Sequence, residues 1–121
     1  MKEWNVGLMA HLGMRLVEVG ADRVVAELEI REELATLGGA VHGGTLMALA
    51  DTVGAVGTAA LGFKTATLES KTNFFAAATG GRIRAEATPL HKGKRSHVWQ
   101  TRVTDESGRL LSLTIQTQMI L

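Results

Sequence analysis

The chain has 121 residues, with 13 basic and 12 acidic side chains, a formal net charge of +1 and no cysteine. This length predicts one domain, residues 1–121, with a single core. The lack of cysteine excludes disulfides, zinc–thiolate sites and a cysteine nucleophile. The near-neutral charge gives no bulk attraction to nucleic acid. No apolar signal-peptide run follows the first residues, so we expect a cytoplasmic protein without a nucleic-acid partner.

The elements before the middle of the chain are short. Residues 4–12 are predicted to form an amphipathic helix, because their large apolar side chains fall near one face. Residues 13–19 are a candidate strand. Residues 23–30 alternate between apolar and charged side chains, which is typical of a strand with one wet face. Residues 34–41 are predicted to form a loop.

An apolar helix is predicted next. It begins at Gly43 or Gly44 and ends at about Leu61, and Asp51 is the only charged residue in the range 34–63. The segment approaches the length of a bilayer span. Because Gly, Ala and Thr predominate and a carboxylate lies near its middle, which is costly in lipid, we predict a helix buried in protein and no membrane partner.

Four further strands are predicted after this helix, at residues 65–75, 82–88, 97–104 and 110–121, because alternating segments are separated by turn sequences. Strict alternation places Thr67 and Glu69 on the face of their strand opposite Ser70. In the last strand the alternation places the apolar residues Leu111, Leu113, Ile115, Met119 and Leu121 on one face.

The order strand, strand, helix and four meandering strands indicates an α+β fold. One antiparallel sheet of about six strands would wrap the central apolar helix. Six strands leave part of such a helix uncovered, so we expect a homodimer at minimum.

Asp51 is the unusual residue of the helix. Aspartate is a poor helix-interior residue and is seldom fully buried without a partner. An isolated carboxylate in an apolar element is typical of a general base or a nucleophile. The alternative is a structural hydrogen bond to backbone across a subunit contact.

The start of the helix predicts an oxyanion site. His42 precedes Gly43 and Gly44, glycine lets a ligand approach the backbone, and the first N–H groups of a helix have no intrahelical partner. Such groups stabilise the oxyanion formed from a thioester carbonyl, although ordinary loop-to-helix geometry is the alternative. Gly43 and Asp51 lie about 12 Å apart along a helix. Both can therefore act on one carbonyl only if the site lies between two subunits.

Two motifs carry a resemblance to a known family. Residues 39–52, GAVHGGTLMALADT, resemble the signature of PaaI-like and 4-hydroxybenzoyl-CoA-thioesterase-like hotdog enzymes, in which a His-Gly-Gly helix start precedes Leu-Ala-Asp or Leu-Ala-Glu. Residues 89–100 and 105–109 look like the bacterial subgroup acting on aryl-CoA thioesters, which includes 1,4-dihydroxy-2-naphthoyl-CoA thioesterases and enterobactin-pathway relatives. The resemblance covers about residues 11–121. It implies a hotdog thioesterase for an aryl or medium-size acyl-CoA, with no cofactor beyond the coenzyme A of the substrate.

The resemblance also implies roles for individual residues. Asp51 falls on the catalytic carboxylate, which attacks the thioester or deprotonates a water, and the Gly43 N–H falls on the oxyanion donor, supported by His42. Thr36 stands where relatives carry an Asn or Gln that positions water or the carbonyl. The family assembles its site across a dimer, and dimers commonly pair into a homotetramer.

Substrate contacts are implied at two further places. The resemblance puts coenzyme A against the basic turn 92–96 and near residues 74–77, and charge-assisted bonds to phosphate are strong. For the turn, a solvated hairpin is the alternative. Thr67 and Glu69 are candidates to line the acyl pocket. The predicted binding residues are Gly44, Thr67, Phe74, Phe75, Ala76, His91, Gly93, Lys94, Arg95 and Ser96.

The chain also departs from the family pattern. Ala55 replaces a Ser or Thr found one turn past the carboxylate in some relatives, and Ala76 with Ala77 replaces a polar residue and Pro. Asp51 stands where the subgroup of the second motif usually has Glu. These departures leave the acyl group undetermined.

Other chemistries lack support in the sequence. The spacing of His42, His91 and His97 contains no close pair or His-Glu-x-x-His motif, so we predict no metal site. A Gly-x-Ser-x-Gly elbow is absent. Two alternatives to a thioesterase remain: a non-catalytic acyl-CoA-binding hotdog protein and a hotdog enoyl-CoA hydratase.

Overall fold

The computed structural model describes residues 4–121. The prediction about a signal peptide concerns, in part, residues 1–3, which lie outside the described residues. The elements are helix α1 (Gly7–Leu12), strands β1 (Arg15–Gly20) and β2 (Arg23–Glu29), a 3-10 turn (Glu32–Leu34), helix α2 (Gly43–Ala59), and strands β3 (Thr65–Phe74), β4 (Arg82–Lys92), β5 (Ser96–Thr104) and β6 (Leu110–Ile120). In this described range, none of the helices has the length and apolar character needed to cross a membrane.

The strands form one antiparallel sheet in the order β1-β2-β4-β5-β6-β3, with α2 packed against it. The α+β class, the six strands and the central helix agree with the prediction. The prediction that all four strands after α2 form a meander is wrong, because β3 pairs with β6 and not with β4. The connection 75–81 returns past the start of α2, where the Val41 N–H donates to the Ala78 carbonyl at 2.8 Å. This return places β4 beside β2 and leaves β3 as an edge strand.

Small residues let α2 lie directly on the sheet. A Cβ on Gly57 would lie 2.5 Å from the ring of Trp99, and a Cβ on Gly54 would lie 2.5 Å from the side chain of Gln116. Leu49 and Val53 are fully buried between the helix and the strands. The close approach explains why a helix rich in Gly and Ala occupies the centre of the fold.

A bulge changes the predicted alternation of β3. Thr67 pairs with Gln118 and Ser70 pairs with Gln116, with a register shift between Thr67 and Glu69. Because an extra residue reverses the facing of the side chains beyond it, Thr67 and Ser70 face the same side, towards α2. The prediction that they lie on opposite faces is wrong. Glu69 lies on the outer face, so it cannot line a pocket beside α2.

The inner face of β6 is polar. Cross-strand pairing places four buried side chains of β6 towards α2: Ser112, Thr114, Gln116 and Gln118. The apolar register predicted for this strand instead lies largely on the outer face, where Ile115 and Met119 are each 40% exposed. Leu111 is the exception, because it lies at a register shift and is fully buried.

Several boundaries differ from the prediction. Helix α1 begins at Gly7, and β4 continues through Pro89 to Lys92, past the predicted end at residue 88. A register shift lies between Pro89 and His91, and such irregularities are among the places where a strand tolerates proline.

Candidate active site

Asp51 lies half-buried on α2 and is held by side chains of two strands. Its Oδ1 accepts the Thr67 hydroxyl at 2.5 Å and Nε2 of Gln116 at 3.2 Å. The same Nε2 lies 3.3 Å from the Asp51 carbonyl oxygen. No ion pair in the range 4–121 involves this carboxylate. The carboxylate is therefore uncompensated by a cation but is not isolated, contrary to the sequence-based interpretation.

The partners of Asp51 have partners of their own. The Gln118 Nε2 donates to the Thr67 hydroxyl oxygen at 2.7 Å, and the Thr65 hydroxyl lies 2.8 Å from the Oε1 of Gln118. Sequence reasoning missed both glutamines. Their only signal was that Gln116 and Gln118 alternate with apolar residues in the last strand, which places two amides on one face.

At the start of α2, His42 is the N-cap residue, and its Nδ1 accepts the N–H of Gly44 at 2.7 Å. The N–H groups of Thr45 and Leu46 both reach the His42 carbonyl oxygen. Within the described part of the chain, the Gly43 N–H makes no hydrogen bond. The cap thus satisfies the neighbouring amides and leaves the Gly43 amide available as a donor.

The Phe74 ring lies against this helix start. A Cβ on Gly43 would be 3.2 Å from the ring. Phe74 and Phe75 are 50% and 58% exposed, and Ala76 is half-buried with its N–H directed to the Leu111 carbonyl. These predicted binding residues therefore gather at the end of β3 beside Gly43.

Thr36 lies in the loop before α2, where its N–H donates to the Ala40 carbonyl at 2.7 Å. Its side chain and His42 line one open cleft, together with Leu37. This cleft does not include Asp51. Within one chain, Thr36 and His42 belong to the Gly43 end of the site.

An apolar groove of about 330 Å³ opens beside Asp51. The amino-terminal segment and α2 supply its walls. The lining residues are Trp4, Val6, Met9, Asp51, Thr52, Ala55, Val56, Ala59 and Thr65. The groove therefore offers an apolar surface next to a carboxylate.

The basic turn contains two kinds of cation. Lys92 Nζ donates to the Ala21 carbonyl and lies 3.0 Å from a carboxylate oxygen of Asp22, so it ties the turn to the β1–β2 hairpin. Lys94 and Arg95 are exposed, and neither forms an ion pair with any residue described here. Only this second kind is available to a ligand.

The remaining predicted residues of the turn shape its backbone. The Gly93 N–H donates to the Ser96 carbonyl at 2.9 Å, and a Cβ on Gly93 would lie 2.6 Å from Nε2 of His91. His91 is exposed and Ser96 is half-buried. Glycine thus lets the imidazole of His91 lie directly against the turn.

His97 lies away from this surface. It is 3% exposed, and its Nδ1 lies 3.0 Å from the Thr58 hydroxyl, which also accepts the indole N–H of Trp99. In the range 4–121, no three His, Asp or Glu side chains are grouped closely enough to hold a metal. The predicted lack of a metal in the reaction stays a prediction.

The site residues form two groups at opposite ends of β3. Asp51 lies beside Thr67 near the start of the strand, whereas Gly43 lies beside Phe74 at its end. Within one chain the structure keeps the carboxylate and the helix start apart, which agrees with the distance expected along the helix.

Comparison with known proteins places this geometry in a family. A family model described as the thioesterase superfamily matches residues 38–112. The 1,4-dihydroxy-2-naphthoyl-CoA hydrolase of Escherichia coli (strain K12) is 31% identical over 121 residues, covering 94% of this chain and 86% of that protein. The enzyme of the same name from Listeria monocytogenes is 30% identical over 115 residues, covering 90% and 91%.

A solved structure supports the assignment. A mutant thioesterase enzyme from Staphylococcus aureus superimposes with a TM-score of 0.91 at 27% identity, covering 93% of this chain and 97% of that one. The resemblance recognised in the two sequence motifs is thereby confirmed. The chain belongs to the thioesterase superfamily and is a thioester hydrolase with the hotdog fold.

Proposed function

We propose that this enzyme hydrolyses an acyl-CoA to the free acid and coenzyme A, with Asp51 as the catalytic carboxylate. The observation that carries the proposal is the Asp51 side chain, whose Oδ1 is held by two donors and which borders an apolar groove. Two relatives, which align with 90% and 94% of this chain at 30% and 31% identity, are named as hydrolases of a CoA ester, which supports coenzyme A as the leaving group.

The edge position of β3 supports a site shared by two subunits. This ten-residue strand has one free edge, and free edges pair readily with another chain. Two-fold antiparallel pairing would set the start of one β3 against the end of the other. Asp51, near the start, would then approach Gly43 of the partner subunit, near the end.

In this arrangement the chemistry divides between the subunits. The Gly43 N–H of the partner subunit donates no hydrogen bond to the described residues of its own chain and would stabilise the oxyanion of the thioester carbonyl. Asp51 would either attack the carbonyl carbon, giving an acyl–Asp51 anhydride that water then hydrolyses, or deprotonate a water that attacks the carbonyl carbon directly. In both routes the C–S bond breaks, coenzyme A leaves as the thiol and the acyl group leaves as the free acid. Incorporation of oxygen-18 into the Asp51 carboxylate during a single turnover in labelled water would identify the nucleophilic route.

The surroundings support a substrate with an apolar acyl group. The groove beside Asp51 has room for an aryl or medium-size acyl chain, and Trp4, Met9 and Val56 offer it apolar contacts. Lys94 and Arg95 are free cations that suit the phosphates of coenzyme A.

Thiol release from benzoyl-CoA, octanoyl-CoA and acetyl-CoA tests the proposal. In Asp51→Asn the amide oxygen can keep both donors of Oδ1, so the fold should persist. We expect kcat to fall by about 10²–10⁴-fold, as for loss of a general base. Undiminished turnover by this variant would refute the assignment of Asp51.

Mixed dimers test the shared site. Gly43→Pro removes the amide donor at a helix position that accepts proline, and the extended backbone of His42, with ψ of 137°, suits the residue before proline. Gly43→Ala is its matched control, because it keeps the N–H and adds the same contact with Phe74. Mixing inactive Asp51→Asn with inactive Gly43→Pro should restore activity, since each mixed dimer has one intact site. Recovery should be absent if one subunit supplies both groups.

The same panel, extended with crotonyl-CoA, separates the alternative functions. A non-catalytic binder would hold octanoyl-CoA without releasing thiol, and an enoyl-CoA hydratase would add water to crotonyl-CoA without releasing thiol. Either result, without thiol release, would contradict the proposed hydrolysis.

We also propose that the dimers pair into a homotetramer. The outer sheet face carries partly exposed apolar residues, including Ile115 and Met119, and such patches mark contact sites. Ile115→Lys should give a dimer in light scattering with thiol release intact.

A further inference from the structure

We infer that Gln118 and Thr67 form a positioning relay that holds the Asp51 carboxylate in its reactive orientation, an inference that rests on the proposed role of Asp51. The relay is the hydrogen-bonded series Thr65, Gln118, Thr67 and Asp51. Within it only Thr67 touches the carboxylate, and Gln118 acts through Thr67.

The acceptors fix the direction of every hydrogen bond in the relay. The Thr65 hydroxyl faces two oxygen acceptors, Oε1 of Gln118 and the Met119 carbonyl, at 2.8 and 2.9 Å, so it donates. The Gln118 Nε2 donates to the Thr67 oxygen at 2.7 Å. A hydroxyl has one proton, and the proton of Thr67 is therefore directed to Oδ1 of Asp51 at 2.5 Å.

The relay makes the two carboxylate oxygens different. Oδ1 receives Thr67 and the Nε2 of Gln116, while Oδ2 receives no donor from the described residues. A carboxylate rotating freely would present either oxygen. Held at Oδ1 by two donors, Asp51 keeps Oδ2 free of donors from the described residues, which reduces the reorientation needed for attack.

Burial holds the Gln118 end of the relay in place. Gln118 is fully buried, so its amide cannot exchange its protein partners for water, and an unpaired buried amide is costly. The bulge in β3 lets Thr67 and Ser70 both face α2. The bulge thus brings the Thr67 hydroxyl to the carboxylate while Ser70 keeps its place on the inner face.

A double-mutant cycle in the full-length protein, assayed by thiol release from octanoyl-CoA, tests the relay. Thr67→Val removes the hydroxyl at nearly constant shape, and we expect kcat to fall by about 10- to 100-fold with little change in KM, as for loss of a bond to a charged group. Thr67→Ser keeps the hydroxyl and should restore most of kcat. Gln118→Met should lower kcat in wild type but cause no further loss in Thr67→Val, because its effect passes through the hydroxyl.

Thr72→Val is the matched control. It breaks a hydroxyl pair with Thr114, at 2.7 Å, on the same two strands and away from Asp51. We expect it to lower the melting temperature without lowering kcat. If Thr67→Val is poorly folded, Thr67→Ala at this exposed position replaces it in the cycle.

The outcomes distinguish the two proposals. If Asp51→Asn is inactive while Thr67→Val keeps wild-type kcat, or if the Thr67 and Gln118 effects multiply independently, the relay is overturned and the proposed function stands. If Asp51→Asn is fully active, both are overturned. A kcat loss rescued by Ser and absent in Thr72→Val supports the relay.

Discussion

Gly54 and Gln116 are complementary: a Cβ on Gly54 would lie 2.5 Å from the amide carbon of Gln116, whose Nε2 binds Asp51. Gln116 is 1% exposed and crosses α2 where the helix has no side chain. The missing side chain at Gly54 therefore gives Asp51 one of its two donors.

Gly54→Ala should displace Gln116 from the carboxylate. Overpacking of this kind costs about 1–3 kcal/mol of unfolding free energy, and kcat should fall as well because the second donor of Oδ1 is lost. Thermal denaturation and thiol release measure the two effects. Gly57→Ala is the control, since its Cβ would meet Trp99 at 2.5 Å, away from Asp51. It should lower stability alone, and equal kcat losses in both variants would contradict the prediction.

His42→Ala should loosen the first turn of α2. It removes the acceptor of the Gly44 N–H, and loss of such a cap costs about 1 kcal/mol. Because small misplacements of a catalytic donor can cost up to about 10²-fold, kcat should fall as the Gly43 N–H shifts. His42→Asn supplies another capping acceptor and should recover the stability. Melting temperatures and kcat of the three proteins provide the check, and an unchanged melting temperature in His42→Ala would be inconsistent with the cap.

His97 should make stability depend on pH. Burial, and then the charges of Lys92 and His91, hold the pKa of His97 below its ordinary 6.5. Just below pH 6.5 the unfolded chain therefore binds a proton at this residue that the folded chain does not bind. The contribution of His97 to the unfolding free energy is constant above about pH 6.5 and falls as the pH decreases below it. His97→Gln should flatten this dependence in melting curves recorded from pH 5 to 8. The same slope in both proteins would contradict the assignment.

Lys94 and Arg95 should contribute to KM rather than kcat. Replacing both with Ala should raise KM for octanoyl-CoA in a salt-dependent manner, because each cation can bind phosphate. The double variant should hydrolyse the octanoyl thioester of N-acetylcysteamine, which lacks the phosphates, with the same KM and kcat as wild type. Lys92→Ala, which breaks the contact with Asp22, is the control and should leave KM unchanged. An equal rise in KM for both substrates would argue against phosphate binding.

Much of the fold could be predicted from local patterns. Residues 23–30 show strand alternation, and the charge-free surroundings of Asp51 identified both the helix and its unusual carboxylate. The distance between Asp51 and Gly43 follows from helical rise, so their separation within one chain could be expected.

What local patterns missed depends on pairing between distant segments. The neighbour of β3 is β6, a choice made by packing around α2 and not by adjacency in the chain. The burial of Gln116 and Gln118 could not be expected from the sequence, because glutamines are mostly exposed in proteins. They are buried here because Asp51 and Thr67 give their amide protons partners.

The bulge in β3 makes the geometry around Asp51 sensitive to how many residues the strand contains, independently of their chemistry. Deleting Leu68 would restore regular pleating and turn either Thr67 or the segment after it to the opposite side of the sheet. Point substitutions nearby can be mild, whereas a single-residue deletion or insertion between Thr67 and Ser70 would separate the hydroxyl from the carboxylate. Natural variation in this family should therefore conserve the length of this segment more strictly than its composition.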